Sequence, residues 1–296
     1  MPFWPLGADV PKVPQPDLFL TVIGDAPFRD QLDLMSVPIV SLAKAKRVEP
    51  IRFKRGEVSV EVSAPPHIGI ATIWDLDFIL WAVSQLNEAV NRGETPPATL
   101  NAPAYDILRA VRRGTGGKDY LALREALDRL KATTIRTTIR ANGKRGETFS
   151  LIEHVAWAED EFGKPLGVSV TLPQWLHRAV LDHRVLSLDS RYFDLTSGMG
   201  RWLYRVARKQ AGDRPDGWRW SVAELHERSG VTRDRKKFAH DLRKLAEVNP
   251  LPEYWLTTYA DVHGVEHLHA ARRSKLALDH PGREIAVRRQ RGDPAL

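Results

Sequence analysis

Between Thr232 and Leu245 the chain reads TRDRKKFAHDLRKL, with six Lys or Arg and one His in fourteen positions. Cations at this density have two chemistries open to them: they neutralise phosphate, and a guanidinium can donate two parallel hydrogen bonds to the O6 and N7 edge of guanine. A helix from Thr232 to Val248, projected at about 100° per residue, puts Phe238, Leu242, Leu245 and Ala246 on one side. Arg233, Lys236, Lys237, His240, Arg243 and Lys244 fall on the opposite arc, which spans about 120°. A face that is merely solvated mixes signs, because i,i+4 pairs contribute about 0.2–0.5 kcal/mol each. Here only Asp234 and Asp241, toward the arc's flank, offset the cations. Like charges so concentrated cost stability until an anion neutralises them.

Four other features carry residue types that could do chemistry. His267-Leu268-His269 matches the His-apolar-His strand that positions a divalent metal in DNA-nicking initiators with a tyrosine nucleophile, yet no tyrosine follows Tyr259. GTGGKDY at 114–120 fails the G-x-x-x-x-G-K-[ST] phosphate loop at Arg112 and Asp119, so it reads as an interhelical turn whose glycines take positive φ. Asp75 and Asp77 point apart at i and i+2 on a helix and suit its N-terminal dipole as capping acids. Trp202, Trp218, Trp220 and Trp255 could stack on unpaired bases, but in short amphipathic elements they read as core. No catalytic residue, cofactor or metal site is expected.

Composition narrows the field further. The chain has 296 residues, 43% hydrophobic and 27% charged, an ordinary globular balance that suggests two compact domains. The absence of cysteine excludes disulfides, Cys-ligated zinc and thiol nucleophiles, and suits a reducing cytosol. The best apolar run, IGIATIWDLDFILWAV, is broken by Asp75 and Asp77, and prolines occupy the N-terminus where a secretory segment would need a helix, so no membrane partner is expected. A formal charge of +7 and a pI near 9.7 favour an anionic partner.

The elements that must position the cations follow from periodicity. Residues 1–30 hold six prolines and read as a poorly ordered tail. An amphipathic helix spans about Asp75 to Arg92; a second begins with Asn101 as N-cap and ends at the glycines of RRGTGG; a third runs from about Lys118 to Lys131. ATTIRTTIR and ETFSLIEHV then form a β-hairpin with a basic tip. The second half repeats this order, with helices at about Ser197–Gln210, Ser221–Glu227 and Thr232–Val248, then YWLTTYADVHGVEHLHAARR as a hairpin turning at His263-Gly264. The expected fold is α+β and mainly helical, with two tandem winged-helix domains, each a helix-turn-helix with a hairpin wing, at 31–165 and 166–275. A basic tail, with Arg288, Arg289 and Arg291, occupies 276–296.

Roles follow from helix-turn-helix docking, in which the last helix enters the major groove while the first crosses the backbone. Over residues 201–249 there are 13 Lys or Arg against 7 Asp or Glu. Arg233, Lys236, Lys237 and His240, toward the N-terminal half of the last helix, are expected to read bases in duplex DNA. Arg243 and Lys244, with Arg201, Arg205 and Arg208 striped along the first helix, are expected to meet phosphates. The third helix of the first domain nearly cancels its own charge, so its hairpin, with Arg136, Arg140, Lys144 and Arg145, is expected to grip a backbone or minor groove.

RDQLDLMSVP, SLAKAKR, APPHIGIATIWDLDFILWA, ALDRLKATTIRTTIR, RYFDLTSGMGRWLYRVARKQAG and FAHDLRKL together resemble the plasmid replication initiator protein A family, over about Arg29 to Ser274. That family is related in architecture to the tandem winged-helix initiators of iteron plasmids. The resemblance implies binding to repeated sites in a plasmid origin in the bacterial cytoplasm, opening of nearby A·T-rich DNA, and recruitment of host replication proteins such as the helicase, its loader or the host initiator. It also implies a homodimer that represses its own gene, a form of copy control. Two alternatives stay open: a winged-helix transcriptional repressor, and a metal-dependent nicking initiator using His267 and His269.

Overall fold

The computed structural model describes residues 28–31, 35, 37–138, 146–159, 161 and 165–284. The wing residues Arg140, Lys144 and Arg145, the Pro-rich tail before Phe28 and the chain after Glu284 lie outside the described residues.

Strand β1 (Phe28–Gln31) is followed by β2 (Ile51–Arg55) and β3 (Val58–Ser63), a hairpin turned by Gly56 at a φ of +56°. Helix α1 (Leu76–Asn91) is apolar on nearly every side and accordingly buried through its length. It leads to β4 (Thr99–Pro103), α2 (Ala104–Ala110) and α3 (Gly117–Ala132). Then come β5 (Thr134–Thr137), β6 (Glu147–Ser150), β7 (His154–Glu159), β8 (Pro165–Thr171), α4 (Gln174–Leu181) and β9 (Val185–Leu188). A 3-10 turn at Ser190–Asp194 hands over to α5 (Gly198–Gln210), β10 (Trp218–Ser221), α6 (Val222–Ser229), α7 (Arg235–Val248), β11 (Tyr254–Ala260) and β12 (Glu266–Arg272).

The fold is thus mixed, with seven helices among the described residues and strands paired antiparallel in sheets β2-β3-β5-β6, β4-β8-β7 and β10-β12-β11, plus the pair β1-β9. The turn at Asp261–Gly264 joins β11 to β12, with Gly264 at a φ of +75° as the hairpin requires.

Several expectations are corrected. Asn101 caps no helix: it points outward from β4 while Leu100 and Ala102 point in, and Pro103 takes the N-cap position of α2. ETFSLIEHV divides, since β6 returns on β5 while β7 joins β8 in another sheet. Strand β8 starts where the second domain was expected, yet it pairs with β4 and β7 of the first half, and β1 pairs with β9. The apolar core is correspondingly continuous, from Ile51 and Leu80 through Leu176 to Trp202, Phe238 and Leu268. In the glycine turn before α3, the positive φ belongs to Arg112, at +56°. A side chain at Gly114 would instead meet the Asp119 carboxylate, 2.6 Å from its Cβ.

Candidate nucleic-acid interface

Helix α7 is anchored by its apolar side. Phe238 and Leu242 are fully buried, with Ala239 and Ala246 nearly so, and the Phe238 ring lies edge-on to Trp202 of α5 at 6.5 Å and to His226 of α6 at 5.2 Å. Its start is fixed by Asp234, whose carboxylate accepts from the backbone N–H of Lys236 at 2.8 Å. That hydrogen bond first, with the nearby Lys236 and Lys237 charges, holds Asp234 below the usual carboxylate range. Its end is fixed by Asn249, left-handed at a φ of +50°, whose amide accepts from the N–H of Leu256 at 2.7 Å and donates to the Leu256 carbonyl at 3.0 Å.

The α6–α7 turn is clasped by the first half of the chain. Gly230 has a φ of +62°, and a Cβ there would lie 2.7 Å from both Ile51 and Pro38. Arg47 donates to the Gly230 carbonyl at 2.6 Å, Arg55 pairs with Glu224 on α6, and Nε2 of His226 donates to the Arg233 carbonyl at 2.7 Å. The helix is therefore held at its head, its tail and its inner face.

The outer face is where the cations lie. Arg235, Lys236, Lys237, His240, Arg243 and Lys244 are all exposed, as the helical projection expects, and Arg235 joins the set although the projection omitted it. Arg233 precedes the helix, exposed and paired with Asp241, and helps line an open concavity with Lys236, Lys237 and His240. Arg243 is paired with Glu266 of β12 at 2.7 Å. In the first half, Arg136 is exposed on β5, opposite Glu61 of β3 and Thr148 of β6.

The stripe on α5 is corrected. Arg201 and Arg205 are 5% and 2% exposed, and Arg208 is half-buried, donating to Ser187 of β9. A buried guanidinium bonded within the protein cannot reach a phosphate. Nη1 of Arg201 donates to both oxygens of Asp77 at 2.7 and 2.8 Å, and its other nitrogens donate to the carbonyls of Leu195 and Phe193. Asp77 also accepts from Arg113 at 3.4 Å, while Asp75 takes two hydrogen bonds from Arg129 at 2.8 and 2.9 Å. Burial pushes the Asp77 carboxyl up, to about 6, against the pull of Arg201 and Arg113. These acids, expected to be caps, are counterions to three buried or half-buried arginines, and the Asp77–Arg201 pair joins the two halves. One signal for this was present in the sequence: an acid inside a helix that is apolar all round has no solvated face to occupy and needs a cationic partner.

The two histidines of β12 are both engaged, His267 donating from Nε2 to Asp261 at 3.0 Å and His269 from Nε2 to the Asp216 carbonyl at 2.8 Å. Among the described residues no group of three or more metal-ligating side chains gathers. Trp202 and Trp220 are buried, as read, whereas Trp218 is 37% exposed beneath the Arg214 guanidinium.

Residues 29–256 match the family model described as replication initiator protein A. The chain belongs to that family. A protein of Wigglesworthia glossinidia brevipalpis described as "Putative replication protein" is 32% identical over 232 residues, which cover 77% of this chain and 83% of that one. Two crystal structures of domains 2 and 3 of RctB share the fold. One has a TM-score of 0.58 at 14% identity, covering 80% of this chain and 95% of the other. The second has a TM-score of 0.51 at 12% identity, covering 79% and 95%. The chain is thus a replication initiator family member that shares its fold with those RctB domains, and no helix among its described residues is long and apolar enough to cross a membrane.

Proposed function

We propose that this chain initiates plasmid replication by holding repeated duplex sites in an origin, with α7 as the sequence-reading helix in the major groove. The observation that carries the reading is the exposed cationic face of α7, held on a rigid mount. The order α5-β10-α6-α7-β11-β12, with sheet order β10-β12-β11, corresponds to a winged helix: α6 and α7 form the helix-turn-helix and the β11–β12 hairpin is the wing. Arg235, Lys236, Lys237 and His240 lie on the N-terminal half of α7, the part that reaches base edges, and Lys244 lies nearer the backbone. In the first half, α3 with the β5–β6 hairpin forms the second module, where Arg136 offers a phosphate contact. Origin opening, recruitment of host replication proteins, a homodimer that represses its own gene, and action in the bacterial cytoplasm belong to the same reading, as does a role confined to binding, without catalysis.

Selection of duplexes from a random library with the purified chain, followed by footprinting and by a replication assay on plasmids carrying the selected repeats, tests the proposal. It expects one short recurring site, protected along a major-groove face, that supports replication. Binding indifferent to sequence would contradict it, and a selected site that represses transcription but never supports replication would reassign the chain to a repressor.

A further inference from the structure

Two cations of the proposed DNA-binding face are neutralised from within the protein. Arg233 donates from Nη1 to Asp241, nearly two turns into α7, and Arg243 donates from Nη1 to both oxygens of Glu266 at 2.7 and 2.9 Å. Both pairs are open to solvent: the side chains are 58% and 36% accessible in the first, 45% and 30% in the second. Exposed pairs of this kind contribute little to folding. On a face turned toward phosphate, moreover, each carboxylate repels the anion its neighbours attract. Their position, flanking Lys236, Lys237 and His240 from the α7 surface and from the wing, calls for a role in binding.

We propose that Asp241 and Glu266 are specificity determinants, internal counterions that keep Arg233 and Arg243 silent on arbitrary duplex and yield them only at the correct site. The inference rests on the DNA-binding reading and deepens it. In a loose, hydrated encounter nothing fixes a phosphate or a base edge close enough to displace the carboxylate, so the pair stays closed and adds no contact. At the correct site, base contacts from α7 hold the duplex in register and set an acceptor beside each arginine, so the guanidinium exchanges one anion for another. Sequence-indifferent binding, which is almost wholly a matter of cation-phosphate contacts, is thereby held down more than specific binding. Arg243 carries the wing into this device, because its carboxylate comes from β12 and a hairpin displaced by DNA would release it.

The test compares the full chain with Asp241→Asn, Glu266→Gln and the double variant, titrated by fluorescence anisotropy onto a selected duplex and a scrambled duplex over a series of salt concentrations. On the scrambled duplex the double variant should bind on the order of tenfold tighter at low salt, with a slope of log affinity on log salt steeper by about two contacts, about 0.9 each. On the selected duplex its slope should stay as in the wild type and its affinity should rise by less than about threefold, so that discrimination falls. Equal tightening on both duplexes, or none on the scrambled one, would overturn the counterion role alone. So would weaker binding of Asp241→Asn to the selected duplex only, which would make Asp241 a direct base reader. Failure of the folded wild-type chain to bind any duplex would overturn the DNA-binding reading and this inference together.

Discussion

Helices α5 and α7 carry similar sequences, each with cations repeating at three and four beside an apolar stripe, and the fold sends those cations to opposite destinations. On α7 they reach solvent; on α5, Arg201 and Arg205 go into the interior. The difference lies outside both helices. Around α5 the chain supplies the Asp77 carboxylate and the carbonyls of Leu195 and Phe193, enough acceptors to make a buried guanidinium tolerable. Around the first turns of α7 it supplies the Asp234 cap and Asp241, both at the surface, and the cations stay outside. A helical charge stripe therefore identifies which residues share a side, and the acceptors on neighbouring elements decide whether that side is a surface or a seam.

The largest test of this contrast is Asp77→Asn. It leaves Arg201 buried without its counter-charge and should cost about 3–5 kcal/mol, read as a lower urea midpoint, while Asp77→Leu combined with Arg201→Met should recover most of that loss. Unchanged stability in Asp77→Asn would break the claim that the α5 cations are structural. Lys236→Ala and Lys237→Ala should do the reverse, each losing about 1–3 kcal/mol of affinity for a selected duplex while shifting stability by less than about 0.5 kcal/mol. A melting midpoint that falls with affinity would show the two helices to be less different than argued. Smallest is Asn249→Ala, which removes two hydrogen bonds to Leu256 and strains a left-handed position, for about 1–2 kcal/mol of stability. Any loss of affinity there should vanish at a temperature where the variant is fully folded.

Much of this was legible in the sequence, for physical reasons that differ by element. Helices α1, α3, α5 and α7 and the β11–β12 hairpin announce themselves through long, regular apolar spacing, and the inward set Phe238, Leu242 and Ala246 follows from that spacing alone. The family resemblance is carried by the same stretches. Strands β3, β8 and β9 escaped because each takes a partner distant in the chain: Val62 of β3 faces Ile135 of β5, Val168 of β8 faces Ala102 of β4, and β9 pairs with β1, pairings that no local period encodes. The α5 arginines were misplaced for the same reason, since Asp77 lies 124 residues before Arg201. Within the candidate interface, the helix and its cations could be read, whereas the neutralising Glu266 depended on how the β11–β12 hairpin folds back along α7.

The central claim is that the α7 face, and not the α5 stripe, meets duplex DNA. The most direct measurement is the salt dependence of duplex binding by the wild-type chain and by Lys236→Ala combined with Lys237→Ala, a variant that leaves every interior contact named above in place. The account predicts weaker binding and a log affinity against log salt slope shallower by about two contacts, with an unchanged urea midpoint. The same affinity and slope in both proteins would contradict it.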